Sequence, residues 1–177
     1  LLSLRLHLVA ARLNSGVSCP MLPTLADVNK AEEPFLGPTG EPVLGKSLAL
    51  LRERWAAGCR DKETALRLLF VCWYCNIEPP FLTGVTEVPD SHKLCQEAFA
   101  ALGGRDSPDP EVCYTVKLMV ELCPWCLGEP DYWEENAPPA GSQIYAKQVE
   151  LGQFAGRGAY GEYFTHMLSP SPFRAGS

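Results

Sequence analysis

From residue 47 onwards the apolar residues recur at intervals of three and four, the spacing that places them on one face of a helix. Leu48, Leu51 and Trp55 make the first such stripe, with Ser47 as its N-cap and Gly58 as its stop. Asp61 caps the next, which runs through Ala65, Leu68, Leu69 and Cys72 until Pro79 and Pro80 forbid continuation. So few residues separate the two helices that they must be neighbours, and 47–77 is predicted as a helical hairpin. A second hairpin is predicted over 91–127. Its first helix starts at Asp90 or Ser91, buries Leu94, Ala98, Phe99 and Leu102, and ends at Gly103 and Gly104. Its second opens with Asp109 as N-cap, Pro110 in the first turn, where a missing N–H costs nothing, and Glu111 at the positive end of the helix dipole.

The run VCYTVKLMVELC (112–123) fits two periods. Its alternation of Val112, Tyr114, Val116, Leu118, Val120 and Leu122 would suit a strand, but Val112, Val116, Met119, Val120 and Cys123 also form a helical stripe behind helical start signals. Helix is the prediction. After a polar loop from Tyr132 to Gly141, residues 142–168 are expected to hold C-terminal helices. Ile144, Tyr145, Val149 and Phe154 serve the first, and Tyr160, Tyr163, Phe164 and Met167 a short aromatic one, with Gly152, Gly156, Gly158 and Gly161 as a flexible joint between them. Those glycines lack the Lys-Ser/Thr of a phosphate loop. Ahead of the helical domain at 47–168, residues 21–46 are rich in Pro and Gly and predict an extended arm anchored by Leu22, Phe35 and Leu36. Residues 1–20 read as an N-terminal helix or a non-native extension, and 169–177 as a frayed tail. The fold expected is mainly α, a single-domain bundle of five or six helices built from two pseudo-repeated hairpins, with little or no sheet.

One short pattern occurs twice. Residues 72–81 read CWYCNIEPPF and residues 123–132 read CPWCLGEPDY, so Cys72, Cys75, Glu78 and Pro79 recur as Cys123, Cys126, Glu129 and Pro130. Upstream, Ala65, Leu68 and Leu69 match Val116, Met119 and Val120. On a helix, positions i, i+3 and i+6 share a sector, so the thiols and glutamate of each copy would point the same way.

Composition narrows the chemistry. A chain of 177 residues with 46% hydrophobic and 20% charged residues is globular in character. Its net charge of −6 and lack of a Lys/Arg cluster argue against nucleic acid, and the opening apolar run is too short to span a bilayer. Eight cysteines, four of them in two CxxC pairs, suggest a reducing compartment and a cytoplasmic location.

Structural disulfides are one reading of the pairs, and three others compete with it. Cys72, Cys75, Cys123 and Cys126 would make a tetrahedral zinc site, with Glu78 and Glu129 as additional ligands. CPWC resembles the dithiol of thioredoxin-like enzymes, although both pairs close the C-terminal ends of apolar helices, where the dipole opposes a thiolate. In the third, the cysteines are small hydrophobes in a duplicated core, as are Cys95 and Cys113. His7, His92 and His166 are scattered and no nucleophile–base pair can be assembled, so no catalytic residue is assigned. The function expected is a non-catalytic helical binding or protein-interaction domain, its partner another protein or a second copy of the chain. The arm at 22–45 and the aromatic C-terminal segment are the expected surfaces. The alternative is a thiol-disulfide oxidoreductase or a metal-dependent enzyme using the paired CxxC motifs.

Overall fold

The helix that ends before Pro79 is the axis of the molecule. It runs Lys62–Ile77 and buries residues from Thr64 to Trp73 without a break, as a helix apolar on all sides must. Asp61 caps it by accepting from the Thr64 N–H at 2.9 Å. In the computed structural model, which describes residues 21–169, the helices are α1 (Leu25–Leu36), α2 (Leu44–Ala56), α3 (Lys62–Ile77), α4 (Pro80–Thr83), α5 (Ser91–Ala101), α6 (Pro110–Leu122), α7 (Pro130–Asn136), α8 (Ser142–Ala146) and α9 (Gly158–Leu168). Short 3-10 turns occupy Gly104–Asp106, Pro124–Cys126 and Leu151–Phe154. No strand occurs among the described residues, and no helix there is long and apolar enough to cross a membrane. The protein is mainly α-helical; α1, α2, α3, α5, α6 and α9 are its longer helices, and α4, α7 and α8 are short. The expectations for residues 1–20 and for the tail beyond 169 lie outside the described residues.

Around α3 pack α2, α5, α9 and the turn at Pro124–Cys126. The first hairpin is present as α2 and α3, although α2 starts at Leu44. Ser47 is inside it, buried and donating to the Leu44 carbonyl at 3.0 Å rather than capping. The 91–127 segment is helical where expected, and the 112–123 run is helix through Leu122. Yet α5 lies chiefly on α3 and α6 chiefly on α8. Gly103 and Gly104, both at positive φ, turn the connection away before Asp109 caps α6.

Three expectations are corrected. Residues 21–46 are not an extended arm: 25–36 form α1, opened by a capping box in which Thr24 and Asp27 exchange hydrogen bonds. The stripe was hidden because its buried face carries Glu32. The polar loop at 132–141 begins as α7, whose Trp133 is wholly buried against Phe99. The glycine-rich joint is held fast. Gly158 sits at φ +60° where any Cβ would fall onto the Glu32 carboxylate, and a Cβ on Gly161 would meet the Phe154 carbonyl.

Two ionic clusters fasten that joint. Arg67 and Glu32, both buried, pair at 2.9 Å; Arg67 also donates to Asn29 at 2.7 Å, and Glu32 accepts from the Ala159 N–H at 2.8 Å. Removing one partner of such a pair costs about 3–5 kcal/mol, because the other charge is left buried and alone. On the other side Arg157 bonds Glu63 and Glu111, Tyr160 donates to Glu111 at 2.6 Å, and Lys62 reaches Asp109 and Glu111. α9 is thereby pinned, and its aromatic residues complete the core: Tyr160, Tyr163 and Phe164 pack ring on ring with Phe70 of α3.

Candidate functional site

The two copies of the cysteine pattern meet at the C-terminal end of α3, but they do not fold alike. In the first, Cys72 and Cys75 lie on α3 itself, one turn apart and buried. Cys95, from α5, joins them beside Cys72. The neighbouring Cys72 thiol and burial push the Cys95 thiol well up. Burial, followed by the neighbouring Cys72, pushes Cys75 to about 12, with a partly opposing hydrogen bond from Thr83. Cys75 and Cys95 are therefore protonated at neutral pH, and a thiol in that state is neither a good metal ligand nor a nucleophile.

In the second copy the helix stops at Leu122. Pro124 disfavours helical geometry at the residue before it, and Cys123 takes φ −158°, ψ 77°. The chain turns through Pro124–Cys126 and Gly128, which has φ +129°. The predicted i, i+3, i+6 sharing of a face therefore fails for Cys123, Cys126 and Glu129. Cys123 and Cys126 are instead joined as a disulfide, their Cα atoms 5.6 Å apart.

Specific hydrogen bonds hold the turn against α3. Trp73 Nε1 donates to the Cys123 carbonyl at 3.2 Å, and Asn76 Nδ2 to the Cys126 carbonyl at 2.9 Å and the Ser91 hydroxyl at 3.3 Å. Cys126 Sγ lies 3.6 Å from the Asn76 carbonyl oxygen. The first turn of α5 closes the arrangement, since a Cβ on Gly128 would stand 3.1 Å from the His92 side chain. The site residues predicted for zinc are thus brought to one end of α3, but the described residues contain no group of three or more His, Cys, Asp or Glu side chains placed to hold a metal. Glu78 is half-buried, close enough to Tyr74 and Tyr163 for its charge to help raise their phenols, after burial has raised them first. Glu129 is exposed and precedes Pro130, the first residue of α7.

Beside their polar residues, the two segments present large apolar side chains to solvent. Ile77 ends α3, Phe81 and Leu82 stand on α4, and Leu122 and Trp125 stand on either side of Cys123. All five are exposed, Phe81 at 76% and Trp125 at 64% of their full area. Exposed aromatic residues gathered at one end of a helical domain mark an interaction surface more often than scattered ones do. The sequence pointed to different surfaces. The aromatic C-terminal segment is core instead, with Tyr160 and Phe164 buried. In the 22–45 stretch Leu22 and Leu36 are partly exposed while Phe35 packs edge-on against Tyr74. An adjoining groove of about 670 Å³, which shares Leu122 with this end, lies between α6, α8 and the end of α9 and is lined by residues including Leu118, Lys147 and Met167.

Comparison with protein-family models, with curated proteins and with solved structures found no match.

Proposed function

We propose that the chain is a non-catalytic helical protein-interaction domain whose docking surface is the end formed by α3, α4 and the CPWC turn. The observation that carries this reading is the pairing of rigidity with exposure. Phe81 and Trp125 stand in the open on short segments, and the turn bearing Trp125 is fixed from behind by Trp73, Asn76 and the disulfide. Pre-organised aromatic anchors lose little conformational freedom on binding, which is where interface affinity is usually concentrated. In this reading the doubled pattern supplies the two halves of one surface: Ile77, Phe81 and Leu82 come from the first copy, Leu122 and Trp125 from the second.

A photo-crosslinking residue placed at 81 or 125 tests it. The expected result is one defined cross-linked protein, competed away by excess unlabelled domain but not by excess domain carrying Phe81→Ser and Trp125→Ser, and not formed from a probe at exposed Lys30. Indistinguishable products from all three positions would refute the reading.

A second reading, a thiol-disulfide oxidoreductase, is favoured by the Cys123–Cys126 disulfide beside an exposed tryptophan. Against it, Cys123 follows the last residue of α6, where the negative end of the helix dipole opposes a thiolate. A zinc site at Cys72, Cys75, Cys123 and Cys126 would require the disulfide to open and Cys75 to surrender a strongly held proton.

A further inference from the structure

The partner that this surface would accept can be narrowed by charge. Across residues 76–82 and 121–131 the charged residues are Glu78, Glu121, Glu129 and Asp131, all acidic. Glu121 is committed elsewhere, accepting from the Ser142 N–H at 3.1 Å and its hydroxyl at 2.5 Å. Glu78, Glu129 and Asp131 have no ion-pair partner among the described residues. Of the cationic side chains near this end, Lys93 faces Glu97 at 3.8 Å and Lys147 stands in the groove that Leu122 and Glu121 line; neither pairs with Glu78, Glu129 or Asp131, and His92 packs on Gly128. An apolar surface with uncompensated carboxylates within and beside it repels anionic surfaces and a second copy of itself, since the chain carries −6 overall. No strand edge is offered among the described residues, so a partner cannot add as a β-strand there.

Resting on the docking surface proposed above, we infer that its partner is an amphipathic helix with an apolar face flanked by Lys and Arg. The apolar face covers Phe81 and Trp125, and the basic flanks meet Glu78, Glu129 and Asp131. Helix-in-groove recognition of this kind reads apolar anchors at helical spacing and takes its specificity from the charges beside them.

The test uses the full chain and three synthetic helical peptides with the same Leu/Phe face, whose flanks are Lys/Arg, Glu or Gln. Trp125 is the exposed tryptophan, while Trp55, Trp73 and Trp133 are buried, so protection from acrylamide quenching reports occupancy of the surface directly. The expected result is binding of the basic peptide alone, weakened about thirtyfold by Phe81→Ala. The triple change Glu78→Gln, Glu129→Gln, Asp131→Asn should weaken it about tenfold at low salt and remove most of the salt dependence. These side chains are exposed or half-exposed, and unchanged thermal melts would confirm that the variants fold.

Equal binding of the Glu- or Gln-flanked peptide, lost with Phe81→Ala, would overturn the charge inference and leave the docking surface standing. Binding of the basic peptide that ignores both the Phe81 and the carboxylate changes would overturn the placement on this surface. No binding of any peptide, together with a negative cross-linking result, would overturn both. Dimerisation in sedimentation, or quenching protection by zwitterionic lipid vesicles, abolished by Phe81→Ala in either case, would name a different occupant and equally overturn the inference.

Discussion

Two Cys-x-x-Cys segments of equal spacing meet opposite fates in this molecule. The first is helical and interior; its tryptophan, Trp73, is 1% exposed and its cysteines are free thiols. The second is a turn with a disulfide, and its tryptophan, Trp125, is 64% exposed. The residue after the leading cysteine decides between them. Trp73 continues the helix and turns inward, whereas Pro124 forces Cys123 out of helical geometry and brings Cys126 back towards it. Spacing alone did not determine chemistry here; backbone context did.

The sharpest way to press this comparison is to truncate each tryptophan. Trp73→Ala should cost about 3–5 kcal/mol, because it leaves a cavity under α9 and removes the indole hydrogen bond to the Cys123 carbonyl, which keeps only the Cys126 N–H. Urea unfolding measures the loss, and a cost near zero would mean that the first segment is not core. Opening the disulfide comes next. A ring this small constrains the unfolded chain modestly, so Cys123→Ser should cost about 2 kcal/mol while leaving the helical circular dichroism intact.

A separate effect is expected at alkaline pH. Folding holds the proton on Cys75 to about 12, against 9.0 for an unburied thiol, and burial likewise raises Tyr114 and Tyr163 to about 12. The unfolded chain therefore releases these protons first. Their contribution is complete below pH 9 and falls away progressively as pH rises towards 12. The denaturation midpoint should follow that course, with a shallower decline in Cys75→Ser; a flat profile would show that these groups are not buried in neutral form. Smallest of all, Trp125→Ser should change stability by no more than about 0.5 kcal/mol, since its ring is mostly in water. Its consequence should be confined to binding.

Much of the helical architecture was legible from period and punctuation. Asp61, the Asp109–Pro110 start and the glycines at 103 and 104 are local signals, and the structure uses each as the sequence implied. The start signals of the 112–123 run favour helix, and α6 is helical from Pro110 to Leu122. What escaped was non-local. Glu32 reads as solvent-facing until Arg67, 35 residues away, is known to share its burial, and so α1 was mistaken for an arm. Gly158 reads as flexible until the carboxylate it accommodates is in view.

At the candidate site the sequence points to two segments that the structure brings to one end of α3, but not to their geometry. Pro124 was visible beside Cys123, and its effect on the preceding residue was the signal that the second copy could not be helical. Cys95 shows the opposite limitation. It belongs to no motif, and only the packing of α5 on α3 brings it against Cys72. Phe81 and Trp125 could not be told from core residues by type, because exposure depends on which faces the neighbouring helices cover.

The central claim is that one cysteine pair belongs to the core and the other fixes an exposed turn. Peptide mapping of unreduced protein, alkylated first in the native state and again after unfolding, with metal content determined on the same sample, tests it most directly. The account predicts a Cys123–Cys126 cross-linked peptide, no stoichiometric metal, and Cys72, Cys75 and Cys95 labelled only after unfolding. One zinc per chain, with Cys72, Cys75, Cys123 and Cys126 all released by a chelator, would contradict it.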